Sequence, residues 1–179
     1  MTFKEIEQKI RSVENQEIIY KYRAFQSSIE LLDRNYHMIL RLLNEAEKPK
    51  SKFELIPRYN KWLLEGIVKE IGFLLHNYVA SSLSLIDHSR RIYEETFERK
   101  DTLSKYEEMK TKFLKSPYLK FVQDLRRMMQ HHSLVSIGFQ YLGGSGEKSF
   151  YLQKVDLLRF KDWTSKSKTL IENFGDKIK

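Results

Sequence analysis

IIYKYRAFQSSIELLDRNYHMILRLL, residues Ile18–Leu43, is the stretch that decides the fold. Its apolar side chains fall at Ile18, Tyr22, Phe25, Ile29, Leu32, Tyr36, Ile39 and Leu43, with spacings that alternate between four and three. That is the stripe of a helix packed along its length. No Gly or Pro occurs before Pro49, so nothing in the stretch breaks it. Ile6, Ile10 and Val13 extend the pattern after a skip, which predicts a kink or a change of partner near Asn15. Pro49 and Pro57 then flank a Lys-rich linker.

A second long helix is predicted from about Asn60 to Arg99, on Leu64, Ile67, Ile71, Leu74, Leu75, Tyr78, Leu85 and Ile92. Gly66, Gly72, Ala80, Ser81 and Ser82 along it predict a close approach to a neighbouring helix. Residues 101–115 read as a short helix or an ordered loop. Ser116-Pro117 is a start signal, with Ser as cap and Pro at the first helical position. The helix that follows, Tyr118 to about Ser133, would bury Leu119, Val122, Leu125 and Met129. Val135–Leu142 alternates as a strand, 143–146 is a turn, and Ser149–Leu152 is a return strand. A last helix runs from about Asp162 to Phe174 and ends at Gly175. The expectation is a single, mainly α domain over 1–179, an antiparallel bundle of long helices with a small β-hairpin insertion. Its parts are a helical segment at 1–47, core helices over 60–133, a hairpin at 135–152 and a C-terminal helix within 160–175.

Composition narrows the chemistry. The 179 residues contain no Cys, which excludes disulfides, thiolate metal sites and a Cys nucleophile. His37, His76, His88, His131 and His132 form neither His-Glu-x-x-His nor Glu-x-x-His, so no metal site and no cofactor are expected. Gly143-Gly144-Ser145-Gly146-Glu147-Lys148-Ser149 lacks the glycine spacing of a phosphate-binding loop and leads into a strand; it reads as a hairpin turn. No nucleophile-elbow pattern supports a Ser-His-Asp triad. The charged opening, Met1–Glu7, lacks the apolar core of a secretory signal, and no apolar run approaches the ~20 residues of a membrane span. A cytoplasmic protein without a membrane partner is expected.

Charge is unevenly placed. Residues 1–98 carry 15 basic and 15 acidic side chains, whereas 99–179 carry 17 and 9, the whole net +8. Within 99–127 the balance is nine to four. A basic region on a neutral scaffold suits an anionic partner such as RNA, with Lys110, Lys112, Lys115 and Lys120 as candidate contacts. A solvated Lys-rich surface is the plainer alternative.

One motif remains: Asp124-Leu125-Arg126-Arg127-Met128-Met129-Gln130-His131-His132. Arg126 and His131 are separated by four residues. Here the chain resembles the HEPN superfamily, the higher-eukaryote and prokaryote nucleotide-binding helical domains, which carry Arg-x4–6-His on a bundle helix. It is also similar, over roughly residues 60–160, to a group of bacterial proteins. These share a helix like His76-Asn77-Tyr78-Val79-Ala80-Ser81-Ser82 followed by Asp87-His88-Ser89-Arg90, then Leu-Arg-Asn-x3-His-His-Ser-Leu. The resemblance implies a metal-independent endoribonuclease acting as a homodimer with facing motifs. Arg126 and His131 would be its catalytic residues, and Arg127, His132, Asp124, His76, Asn77, Asp87, His88 and Arg90 possible supports. The chain departs from the pattern at Arg127, where an Asn is common. Arg127 and His132 form a second Arg-x4-His, so the register rests on Leu125 before and His132-Ser133-Leu134 after.

The chemistry is coherent on its own terms. Imidazole moves a proton near neutral pH, and guanidinium meets the charge that gathers on phosphorus. One copy lacks an acid for the leaving oxygen, which a facing copy would supply. Five residues of helix nevertheless set Arg126 and His131 about 140° apart. Arg127 and His131 share a face with Asp124, so a structural Asp124–Arg127–His131 network is an open alternative. Asp87 and Arg91, four apart, allow a helix-face ion pair; alternatively Asp87, His88 or Arg90 faces a cleft shared with the 118–133 helix. The competing function is a non-catalytic helical module that binds RNA, a nucleotide or a protein.

Overall fold

The computed structural model describes residues 2, 4–5, 8, 12–48, 61–96, 100–142 and 147–178. In chain order these form α1 (Val13–Glu47), α2 (Lys61–Thr96), α3 (Lys100–Leu114), α4 (Pro117–His131), β1 (Ile137–Leu142), β2 (Glu147–Gln153), α5 (Lys154–Leu158), α6 (Ser165–Asn173) and β3 (Lys177–Ile178). The chain is mainly α, a bundle of long helices with a small antiparallel sheet. Ile6, Ile10, the expected linker beyond Lys48 and the 143–146 turn lie outside the described residues.

Helices α1 and α2 pack along their length in opposite directions. Ser28 of α1 bonds His88 of α2, Asn35 meets Ser81, and Ala46 packs with Ile67 and Ile71. The seam corrects the expected stripe. Phe25, Leu32 and Ile39 are partly buried as anticipated, but Ile18, Tyr22, Ile29 and Tyr36 are exposed. The buried face is rotated toward Ser28, Asn35 and Ala46. Small and polar side chains win these positions because they satisfy each other across the seam. Asn35 Nδ2 donates to the Asn77 carbonyl at 3.3 Å and to Ser81 Oγ at 3.1 Å. Of the small residues on α2, Ser81 thus serves close approach. Gly66 and Gly72 do not, since a Cβ there would meet no neighbouring atom within 4 Å.

Residues 100–114 are a helix, seated by a stack of Tyr106 on Tyr93 with ring centroids 3.5 Å apart. Pro117 opens α4 as expected, but Ser116 makes no side-chain cap bond. The apolar face of α4 buries Leu119, Leu125, Met128 and Met129, while Val122 is only partly buried. Leu125, Met128 and Met129 join Val79, Val135, Leu157, Phe160, Trp163 and Ile171 in the main core, and Val122 packs against it. A second core places Phe150 of β2 on the α1–α2 pair.

The hairpin pairs Ile137 with Leu152 through to Leu142 with Glu147. It is larger than expected by a third strand: β3 pairs Ile178 with Leu152. The C-terminal region also holds α5, which five residues of mixed polarity do not announce. Among the described residues no helix is long and apolar enough to cross a membrane. Ile171 is fully buried between α4 and the C-terminal turns. Ile171→Ala should cost about 2–5 kcal/mol, read as a lower midpoint in urea denaturation.

Candidate functional site

Helix α4 sorts its polar residues onto two faces. One face binds the C-terminal segment. Asp124 is 2% exposed, and its Oδ2 accepts from the Thr164 amide at 3.1 Å, the Thr164 hydroxyl at 2.6 Å and the Ser167 hydroxyl at 2.7 Å. Its Oδ1 lies 3.4 Å from Arg127 Nη2 and 3.9 Å from Lys120 Nζ. Burial pushes the carboxyl pKa up. The bonds from Thr164 and Ser167, with the charge of Lys120, more than offset this and hold it below the ordinary value. Thr164 precedes α6, so Asp124 clamps the start of that helix.

Arg127 and His132 belong to the same contact. Arg127 Nη2 donates to the Asp162 carbonyl, and its guanidinium lies 5.8 Å from the Phe160 ring centroid. His132 meets Phe160 edge-on at 4.7 Å. The Asp124–Arg127 half of the anticipated network therefore exists, while His131 takes no part in it. His131 is exposed at the last turn of α4.

Arg126 faces the other way. It lines a cavity of about 290 Å³ between α2 and α4 with Asp87, Gln123 and Gln130; Arg127 also reaches this cavity's edge, while its guanidinium is engaged with Asp124 and the Asp162 carbonyl. Its Nε is buried and has no hydrogen-bond partner among the described residues. An unpaired buried donor costs about 1–3 kcal/mol, and in a native structure it calls for an explanation. His131 is not among the residues lining this cavity. The structure thus separates Arg126 from His131 within one chain, as the helical angle requires.

The α2 candidates divide similarly. Asp87 and Arg90 reach the α2–α4 side, 3.8 Å apart. Asp87 therefore pairs with Arg90 rather than Arg91. His88 turns inward to Ser28 of α1, a contact between helices. The Asn77 carbonyl serves the α1–α2 seam, and His76, a partly buried residue three turns before Asp87, lines neither cavity at this face. Of the basic candidates, Lys110 bonds Glu107 at 2.9 Å, which raises its pKa, and sits over the Tyr106 ring. Lys112 and Lys115 are exposed. Lys120 turns toward Gln123 and Asp124.

Gln123 and Gln130 were not singled out by sequence. They stand three before and four after Arg126, so helical spacing alone puts them on its face. Among the described residues no cluster of three His, Asp or Glu side chains is placed to hold a metal. Comparison of the chain with protein-family models, with curated proteins and with solved structures finds no match.

Proposed function

We propose that this protein is a helical RNA-binding module whose phosphate contact is Arg126. One observation carries the reading: Arg126 lines a cleft, and its Nε, buried just behind, has no hydrogen-bond partner among the described residues. Guanidinium forks onto phosphate through parallel hydrogen bonds, and a turn of the Arg126 side chain toward the cleft would let a phosphate oxygen satisfy that nitrogen. The charge around it agrees, since residues 99–127 hold nine basic and four acidic side chains.

Fluorescence anisotropy with labelled RNA tests this. Affinity should fall as salt rises, with a logarithmic slope of about −0.7 for each phosphate neutralised on a single strand. Changing Lys110, Lys112 and Lys115 together to Glu should weaken binding at low salt and flatten that slope. Absent or salt-independent binding would sink the proposal.

The Arg126–His131 spacing favours a second reading, the metal-independent endoribonuclease of HEPN type. Since one chain holds the two residues on different faces, the histidine over a given Arg126 would come from a second copy in a homodimer. His131 would take the 2′-hydroxyl proton as the 2′-oxygen attacks phosphorus. The 5′-oxygen would leave, taking a proton from solvent water, so that one His131 suffices at each site. The products are a 2′,3′-cyclic phosphate and a 5′-hydroxyl. Arg126→Ala and His131→Ala should each be inactive alone. Mixed, they place one intact pair in each heterodimer and should recover about a quarter of wild-type cleavage if copies of a two-fold dimer exchange at random. No recovery from a verified mixed dimer would exclude a shared site.

A further inference from the structure

The Arg126 cavity does not end at Arg126. It shares Ile86, Asp87 and Gln123 with a larger cleft of about 740 Å³ between α2, α3 and α4. The two form one groove. The larger half is apolar at its floor, with Met109, Phe113 and Leu114 of α3. Met109 is 71% exposed and Phe113 53%. Large apolar groups clustered in the open mark a binding surface more often than a solvated one. Tyr106, the other ring of α3, is already stacked on Tyr93, whereas Phe113 has no aromatic partner among the described residues. Arg90, Lys110 and Lys112 edge this half; Arg90 is offset by Asp87, at the junction, and Lys110 by Glu107, so Lys112 supplies the net positive charge of the edge.

An apolar floor with a free ring, a cationic edge and a guanidinium at the far end ask for a ligand that joins a flat apolar group to an anion. A free phosphate leaves the apolar half uncovered. A duplex keeps its bases stacked inside and offers mainly backbone. A second copy of the chain brings no identified anion to Arg126. The match is an unpaired nucleotide, whose base stacks on an aromatic face while its phosphate is held by a basic side chain. Resting on the RNA reading of Arg126, we propose that this groove binds single-stranded RNA, with a base against Phe113 and Met109 and an adjacent phosphate on Arg126.

The test measures anisotropy of a single strand of about ten nucleotides, within the usual site size of such modules, against the same sequence as a duplex. Full-length protein is used, with circular dichroism as the folding check. The wild type should prefer the single strand. Phe113→Ala should weaken single-strand binding about 5- to 150-fold, the range for loss of one base–aromatic stack, and leave duplex binding unchanged. Phe113→Tyr keeps the ring and should keep the affinity. If RNA binds in an Arg126-dependent way but Phe113→Ala changes nothing, the base site is wrong and the phosphate reading stands. If no RNA binds at all, both fall. If Phe113→Ala instead converts a dimer into a monomer in sedimentation, the groove is an interface between copies and the proposal is overturned. Competition by an acidic peptide that depends on Phe113 while RNA binding does not would overturn it too.

Discussion

Arg126→Met is expected to abolish most RNA binding while leaving the protein as stable as the wild type, or more so. The two halves of this result have one cause. The wild-type guanidinium buries an Nε that no group among the described residues satisfies. A methionine keeps much of the apolar stem and removes the unsatisfied donor, so up to about 1–3 kcal/mol of desolvation cost disappears from the folded state. Each kcal/mol moves the melting temperature of a chain this size by about 2–4 °C. Binding should fall in the opposite sense, since the phosphate loses its bidentate partner. If the protein also cleaves RNA, the rate should fall about 10²-fold or more, as when one oxyanion-holding donor is lost. Arg126→Lys should rescue poorly, because an ammonium cannot present the same fork. Arg127→Ala supplies the contrast: it removes the contacts to Asp124, Asp162 and Phe160, so it should lower the melting temperature. A residue built for ligand and a residue built for the fold are thus distinguished by the sign of the stability change. Loss of stability in Arg126→Met with RNA affinity intact would make Arg126 a structural residue.

The sequence made the long helices legible because nothing in 13–47 or 61–96 breaks them except two glycines, both of which α2 tolerates. It did not make the buried face of α1 legible. Apolar periodicity pointed at Ile18, Tyr22, Ile29 and Tyr36, whereas the contact runs through Ser28, Asn35 and Ala46, whose partners His88, Ser81 and Ile67 with Ile71 are information held by another helix. The C-terminal turns were hidden for a related reason. Strand β3 is two residues long, and α6 is anchored by Asp124, forty residues away in sequence. Likewise the choice between Arg126 and Arg127 is ambiguous in the string Asp-Leu-Arg-Arg. Only the position of Phe160 and Asp162 shows that Arg127 is occupied. Gln123 and Gln130, by contrast, follow from α4 periodicity once Arg126 is taken as the reference.

Asp124→Ala is expected to be the most damaging single change at α4. The carboxylate accepts three hydrogen bonds in a site that water does not reach, and it faces Arg127 and Lys120. Truncation leaves the Thr164 and Ser167 donors without their acceptor and releases the start of α6 from α4. Arg127 and Lys120 can turn to water, but each buried donor left unpaired costs about 1–3 kcal/mol, and each kcal/mol lowers the melting temperature by about 2–4 °C. The acid limb gives an independent reading. The folded carboxyl pKa lies below the ordinary value, so the folded state binds its proton less readily than the unfolded state. The stability this contributes is complete above the unfolded carboxylate value of about 3.9. It is lost as pH falls from there through the lower folded value. Wild type should therefore lose stability through that window, and Asp124→Asn, which has no charge to lose there, should lose less. Urea titrations of both proteins from neutral to acid pH should show the gap between them closing as pH falls. A gap that stays constant would mean that shape, and not the ionised carboxylate, holds α6 on α4.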